Sequence, residues 1–161
     1  MPQELEQDVR TNPDPDFGSI VVRVAADVLA TMFFEEAEPA ACDHAWLPAA
    51  VTARVSFEGS HYGQFLLSIS PGTTRSIASG FLGLEPEEMT ESQPGEVVQE
   101  LANILCGALM STLWPESSLS LGSPELIVAE QVMPAGMHCC FNLPEGMVAV
   151  SVGLSGETGS V

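Results

Sequence analysis

The sequence predicts an α+β layer fold, with two long helices on one face of a mainly antiparallel sheet. Three observations predict it. Apolar residues recur at helical spacing over 17–34 and again over 94–114. Apolar and polar residues alternate over 51–70, as in two half-buried strands. The C-terminal third is a series of short alternating stretches broken by turn residues. With 161 residues, 45% of them hydrophobic, the chain has room for one domain that buries about two-thirds of its unfolded surface.

The elements follow in order. Residues 1–16 hold Pro2, Pro13, Pro15 and five acids, and read as a frayed acidic arm ahead of one domain over 17–161. From residue 17, the set Ile20, Val21, Val24, Ala25, Val28, Leu29, Met32 and Phe33 makes one apolar helix face. Glu35, Glu36, Glu38 and Pro39 end that helix, and a loop with Cys42, His44 and Trp46 follows. Val51, Ala53, Val55 and Phe57 alternate with Thr52, Arg54 and Ser56; the turn Glu58-Gly59-Ser60 then returns the chain through a strand from Gly63 to Ser70. Pro71-Gly72 breaks this hairpin, and residues 73–82 read as a short helix with Ile77, Ala78, Phe81 and Leu82 inward. Residues 83–93 are an acidic linker.

Pro94 suits the first turn of the next helix, because it lacks an N–H that would go unpaired there anyway. Pro115 stops that helix after Trp114, and its expected buried set is Val97, Val98, Leu101, Leu105, Ala108, Thr112 and Leu113. Strands are expected around Leu119–Leu121, Leu126–Val128, Met137–Phe141 and Met147–Val152, the last two joined through Asn142-Leu143-Pro144-Glu145-Gly146. The order suggests a duplicated unit in which Val21-Val22 aligns with Val97-Val98.

Charge narrows the function. Four Arg and no Lys face 22 Asp+Glu, for a net charge of −18. Phosphate backbones and anionic membranes both select clustered cations, so nucleic-acid and membrane-surface binding are excluded as expectations. Lysine chemistry is excluded outright. No stretch has the length of a membrane span and the first residues do not form a signal peptide, so a cytoplasmic location is expected. In that compartment Cys42, Cys106, Cys139 and Cys140 are expected to be reduced thiols.

On the second long helix, positions 96, 100, 103 and 107 form one stripe beside the apolar face: Glu96, Glu100, Asn103 and Gly107. Asn is a poor mid-helix residue, and Gly costs about 1 kcal/mol against Ala in a helix interior. Two carboxylates, a carboxamide and a bare patch on one ridge make a recognition surface. The plainer alternatives are solvated Glu side chains, an Asn that caps a neighbouring loop and a Gly that allows close helix–sheet packing.

The segment from Glu96 to Leu113 resembles the CheC/CheX/FliY family of chemotaxis phosphatases, CheX in particular. That family's motif is an Asp or Ser, a Glu four positions on, an Asn three further on, and a Pro a little over twenty residues later. Here Glu100 and Asn103 have that spacing, Pro124 follows 21 positions after Asn103, and Glu96 stands where Asp or Ser is usual. Phe57-Glu58-Gly59, followed by Gly63 and an apolar strand, resembles the family's first hairpin, and the likeness extends over about 17–153.

The resemblance implies removal of phosphate from the aspartyl phosphate of a CheY-like response regulator. It implies that Asn103 orients the attacking water and that Glu100 pairs with a regulator lysine and holds the docking register. Glu96 and Gly107 would then belong to the docking surface. It also implies that this chain binds no cofactor, that Mg²⁺ comes with the regulator, and that the protein is a homodimer. In two-site family members both long helices carry the motif. Here the alignment sets Val24 opposite Glu100 and Asp27 opposite Asn103, so one site is expected.

Other signals are weaker. Cys42-x-His44 and His138-Cys139-Cys140 invite a zinc reading, but adjacent residues on a strand face opposite ways, and no C-x-x-C spacing occurs. His61-Tyr62 reads as an exposed turn, the seven Met as core filler, and Trp46 and Trp114 as packing residues. The rival function is a non-catalytic CheX-like binding or dimerisation module, because a fold does not fix an activity.

Overall fold

The computed structural model describes residues 17–33, 37–40, 50–127 and 137–154. The elements are α1 (Phe17–Phe33), β1 (Glu38–Ala40), β2 (Val51–Gly59), β3 (Gly63–Ile69), α2 (Pro71–Leu82), a 3₁₀ turn (Pro86–Glu88), α3 (Gln93–Leu113), β4 (Leu119–Leu121), β5 (Glu125–Ile127), β6 (Met137–Leu143) and β7 (Gly146–Leu154). All strand pairs are antiparallel, in the order β1-β6-β7-β3-β2-β4, and β5 also pairs with β2.

The period-2 pattern decides which way the sheet faces. Register sets Val55 beside Phe65 and Phe65 beside Val152, with Val51, Ile69, Val148 and Phe141 in a parallel row. These residues share one face, and the helices lie on it. Val21, Ala25 and Leu29 of α1, Ile77 and Ala78 of α2, and Val97, Leu101 and Leu105 of α3 complete a single core with them. The expected arrangement of helices on one face of an antiparallel sheet is therefore the observed one. The register that pairs Val21 with Val97 also pairs Ala25 with Leu101 and Leu29 with Leu105, and all six are buried.

Three local expectations change. Glu38–Ala40, read as a helix terminator and loop, forms strand β1 against Ala40↔Cys140 and Glu38↔Asn142. Its local pattern is too short to signal a strand, and Pro39 is tolerated because β1 ends the sheet order, where one N–H is not needed. Pro71 does not delay α2; it starts it, and the Thr74 amide donates to the Ser70 carbonyl at 2.9 Å. Thr112 is exposed rather than buried, its hydroxyl donating back to the Ala108 carbonyl at 2.9 Å, while Ala102, Cys106, Leu109 and Met110 are buried instead.

The cysteines divide. Cys106 and Cys139 are free thiols, as expected, but Cys140 is disulfide-bonded. Composition and compartment address redox conditions, whereas a disulfide also needs two Cα atoms within about 7 Å, which the fold decides. Burial pushes the Cys106 thiol up to about 12 and also raises Cys139, so the buried Cys106 sulfur is a packing group rather than a nucleophile. Cys139 packs against the helical core while His138 lies on the other face, its Nδ1 2.8 Å from Ser151 Oγ, so strand alternation separates this trio. Among the described residues no three His, Cys, Asp or Glu side chains gather as a metal site, and no helix is long and apolar enough to cross a membrane. The acidic arm 1–16, the loop with Cys42, His44 and Trp46, the side chains of Met32 and Phe33, and Val128 lie outside the described residues.

Candidate functional site

Helix α3 carries the four candidate residues. It begins where the Thr90 amide donates to Gln93 Oε1 at 2.8 Å and Pro94 occupies the first turn. It ends where the Trp114 amide donates to Met110 at 2.9 Å, just before Pro115. Val97, Val98, Leu101, Ala102, Leu105, Cys106, Leu109 and Met110 form its buried side. That broad apolar face fixes the rotation of the helix and so decides which residues look outward.

Glu96 and Glu100 are exposed, and Asn103 and Gly107 are half-exposed. The structure thus brings the four expected residues onto one ridge about 16 Å long, at 1.5 Å per residue. Among the described residues the salt bridge is Arg54–Glu125 at 3.3 Å, and it involves neither Glu96 nor Glu100. The Asn103 carboxamide likewise has no hydrogen-bond partner there. Both of its polar groups are free to engage water or a partner.

The plain explanation of Gly107 as a packing necessity fails. A Cβ placed on it would lie 3.8 Å from Leu121 Cδ1, an ordinary contact. Gly107 instead borders an open groove of about 160 Å³ shared with Met110, Ser111, Trp114 and Leu119. Trp114 is the packing residue expected: its ring lies 6.5 Å from Phe57 and stacks on His61 at 3.9 Å and 18°. His61 also meets Ser60 Oγ at 3.1 Å, so it is half-buried against Trp114 rather than an exposed turn residue.

On α1, the positions aligned with the pair behave differently. Val24 is buried and Asp27 is exposed, so no Glu–Asn pair can form there. One contact was invisible in the sequence: Gln99 Nε2 donates to the Pro124 carbonyl at 3.0 Å across 25 positions. Gln99 has no local signal, since only the tertiary approach of β4 and β5 to α3 makes the bond.

Three helices on an open antiparallel sheet recur in solved structures. The chain matches a chemotaxis protein CheX from Vibrio vulnificus at TM-score 0.70 and 16% identity, covering 89% of this chain and 99% of that one. It matches a chain of the CheX–CheY–BeF₃–Mg²⁺ complex from Borrelia burgdorferi at TM-score 0.69 and 20% identity, covering 88% and 99%. FliY from Thermotoga maritima matches at TM-score 0.58 and 13% identity, covering 93% and 96%. No curated protein matches the sequence. The family model for chemotaxis phosphatase CheX matches residues 51–141, which include the whole Glu96–Gly107 ridge and Pro124. With more than half of its length matched, the chain belongs to the CheX family of chemotaxis phosphatases.

Proposed function

We propose that the protein hydrolyses the aspartyl phosphate of a CheY-like response regulator, with Asn103 orienting the attacking water and Glu100 docking the regulator. The observation that carries this reading is the Glu100–Asn103 pair on an outward ridge of α3, without a partner among the described residues and inside the segment the family model matches. The Borrelia structure, solved with CheY, BeF₃ and Mg²⁺, supports a regulator as partner.

The chemistry suits so sparse a site. Phosphoryl transfer is governed by positioning and charge stabilisation. The Asn103 carbonyl accepts a hydrogen bond from the water while its NH₂ donates to a neighbouring oxygen, which aims a water lone pair at phosphorus. Water then adds as the P–O bond to the regulator's Asp breaks; that Asp leaves as a free carboxylate, and both water protons stay on the released phosphate as H₂PO₄⁻. Glu100 offers a carboxylate to a regulator cation, a charge-assisted bond that fixes register. Glu96 and Gly107 extend the docking surface, the first by charge and the second by leaving the ridge low. The chain supplies neither nucleophile nor metal ligand in this mechanism, and the reaction belongs in the cytoplasm with the regulators.

The experiment is to incubate the protein with phosphorylated regulators of its own genome and follow phosphate release. Glu100→Ala is expected to weaken binding and turnover together, by about tenfold, the loss of one charge-assisted contact. Asp27→Ala leaves both unchanged. A Glu100→Ala protein with wild-type affinity would remove Glu100 from the docking role. Binding with no hydrolysis by wild type would favour the non-catalytic module, since a fold does not fix an activity.

The same reading includes a homodimer joined through sheet edges, since open edges seek strand partners. Light scattering at tens of micromolar, above a typical specific Kd, is expected to give twice the chain mass. A monomer at that concentration would count against it.

A further inference from the structure

The flank of the ridge is built by the link between β4 and β5. Both strands pair with β2, through Phe57↔Leu121 and Arg54↔Glu125, and residues 122–124 cross between them. The Gly122 amide donates to the Ser56 carbonyl at 2.7 Å, and Glu125 pairs with Arg54 at 3.3 Å. Those bonds tie both ends of the link to the sheet. The Gln99–Pro124 bond ties it to α3. Proline has no N–H, so its carbonyl is the backbone group through which Pro124 can be held.

The contacts along α3 run in a regular series. A Cβ on Gly95 would lie 2.9 Å from Leu126 Cδ1, Gln99 bonds Pro124, and a Cβ on Gly107 would lie 3.8 Å from Leu121 Cδ1. As the helix advances through 95, 99 and 107, its partners retreat through 126, 124 and 121. Steps of four keep to one side of a helix, and the step missing from the series is Asn103. Its counterpart on the link is therefore Gly122–Ser123. That placement accounts for its half-exposed state beside the exposed Glu100 and Glu96.

We infer that Gln99 is a positioning residue for hydrolysis: its bond to Pro124 holds the 122–124 link as a wall beside Asn103, restricting the carboxamide and the water it orients. This role rests on the proposed phosphatase reading. Asn103 has no hydrogen bond of its own to fix it among the described residues, so its direction depends on what walls it in. Misplacing a positioned group by about 1 Å can slow a reaction up to a hundredfold.

The test is Gln99→Met, which keeps length and helix propensity but loses the donor. Hydrolysis of a phosphorylated CheY-like regulator is measured in single turnover over a range of enzyme concentrations. The expected result is a fall of about tenfold in the saturating rate, with the half-saturating concentration within about twofold of wild type, because Glu96 and Glu100 still dock. Hydrogen exchange at the Gly122 amide, which the Ser56 carbonyl protects, is expected to quicken. Gln99→Lys, which restores a donor of similar reach, is expected to recover the saturating rate. A Gln99→Met protein with the wild-type rate, or one whose defect lies wholly in half-saturation, overturns the role. So does a rate loss without faster exchange. Wild-type hydrolysis with an unimpaired variant sinks this role alone; absence of wild-type hydrolysis on every regulator sinks the phosphatase reading and this role with it.

Discussion

Asn103→Ala is expected to bind the phosphorylated regulator within a few-fold of wild type and to release phosphate about a hundredfold more slowly or worse. A hundredfold loss is about 2.7 kcal/mol of transition-state stabilisation, a magnitude in keeping with removing the one group that aims the water. Binding survives because the Glu100 and Glu96 carboxylates, both exposed and unpaired among the described residues, remain. Folding survives because Asn103 is half-exposed and lacks a hydrogen-bond partner there, and Ala is the better helix former by several tenths of a kcal/mol. Pairing a binding titration with phosphate release separates the two effects. If Asn103→Ala hydrolyses at the wild-type rate on a regulator that the protein binds, the carboxamide does not orient the water and the binding-module reading moves ahead.

Leu101→Ala, next to Glu100, is expected to do the reverse. Leu101 is 0% exposed and sits in the core that joins α3 to β2 and β3. Truncating it removes buried methyl groups and leaves a cavity, a loss of about 2–5 kcal/mol. In a domain of this size that lowers the melting temperature by roughly 5–15 °C. Hydrolysis per folded molecule, measured well below the melt, should stay near wild type, because the ridge lies on the other side of the helix. Thermal and urea unfolding check the first statement and phosphate release the second. A change below about 1 kcal/mol would place Leu101 outside the core. Together the two substitutions are expected to separate the faces of one helix, with Asn103→Ala changing chemistry and Leu101→Ala changing stability.

That separation was already present in the spacing of residues. The apolar set of α3 determines which side is buried, and a 3.6-residue period then places Glu96, Glu100, Asn103 and Gly107 outside it. Strand alternation likewise determined that Ala53, Val55 and Phe57 face the helices together. Even the divergence of the two halves was local information, since Val24 is apolar and joins the core where Glu100 stays outside it.

What only the tertiary structure decided are the pairings between distant, locally silent segments. β1 is three residues long with Pro39 at its centre, and it exists because β6 offers it an edge. The disulfide at Cys140 depends on proximity, which composition does not encode. The sequence pattern sets Thr112 among the buried residues, yet its hydroxyl is satisfied by its own helix and turns outward. Above all, the bond that joins α3 to the link between β4 and β5 forms only when Gln99 and Pro124, 25 positions apart, are brought together. The physical reason is the same in each case. Periodicity reports how a segment divides between core and solvent, because burial acts on every residue of an element at once. A single hydrogen bond or strand edge between residues far apart leaves no period, and only the packed chain brings its two ends together.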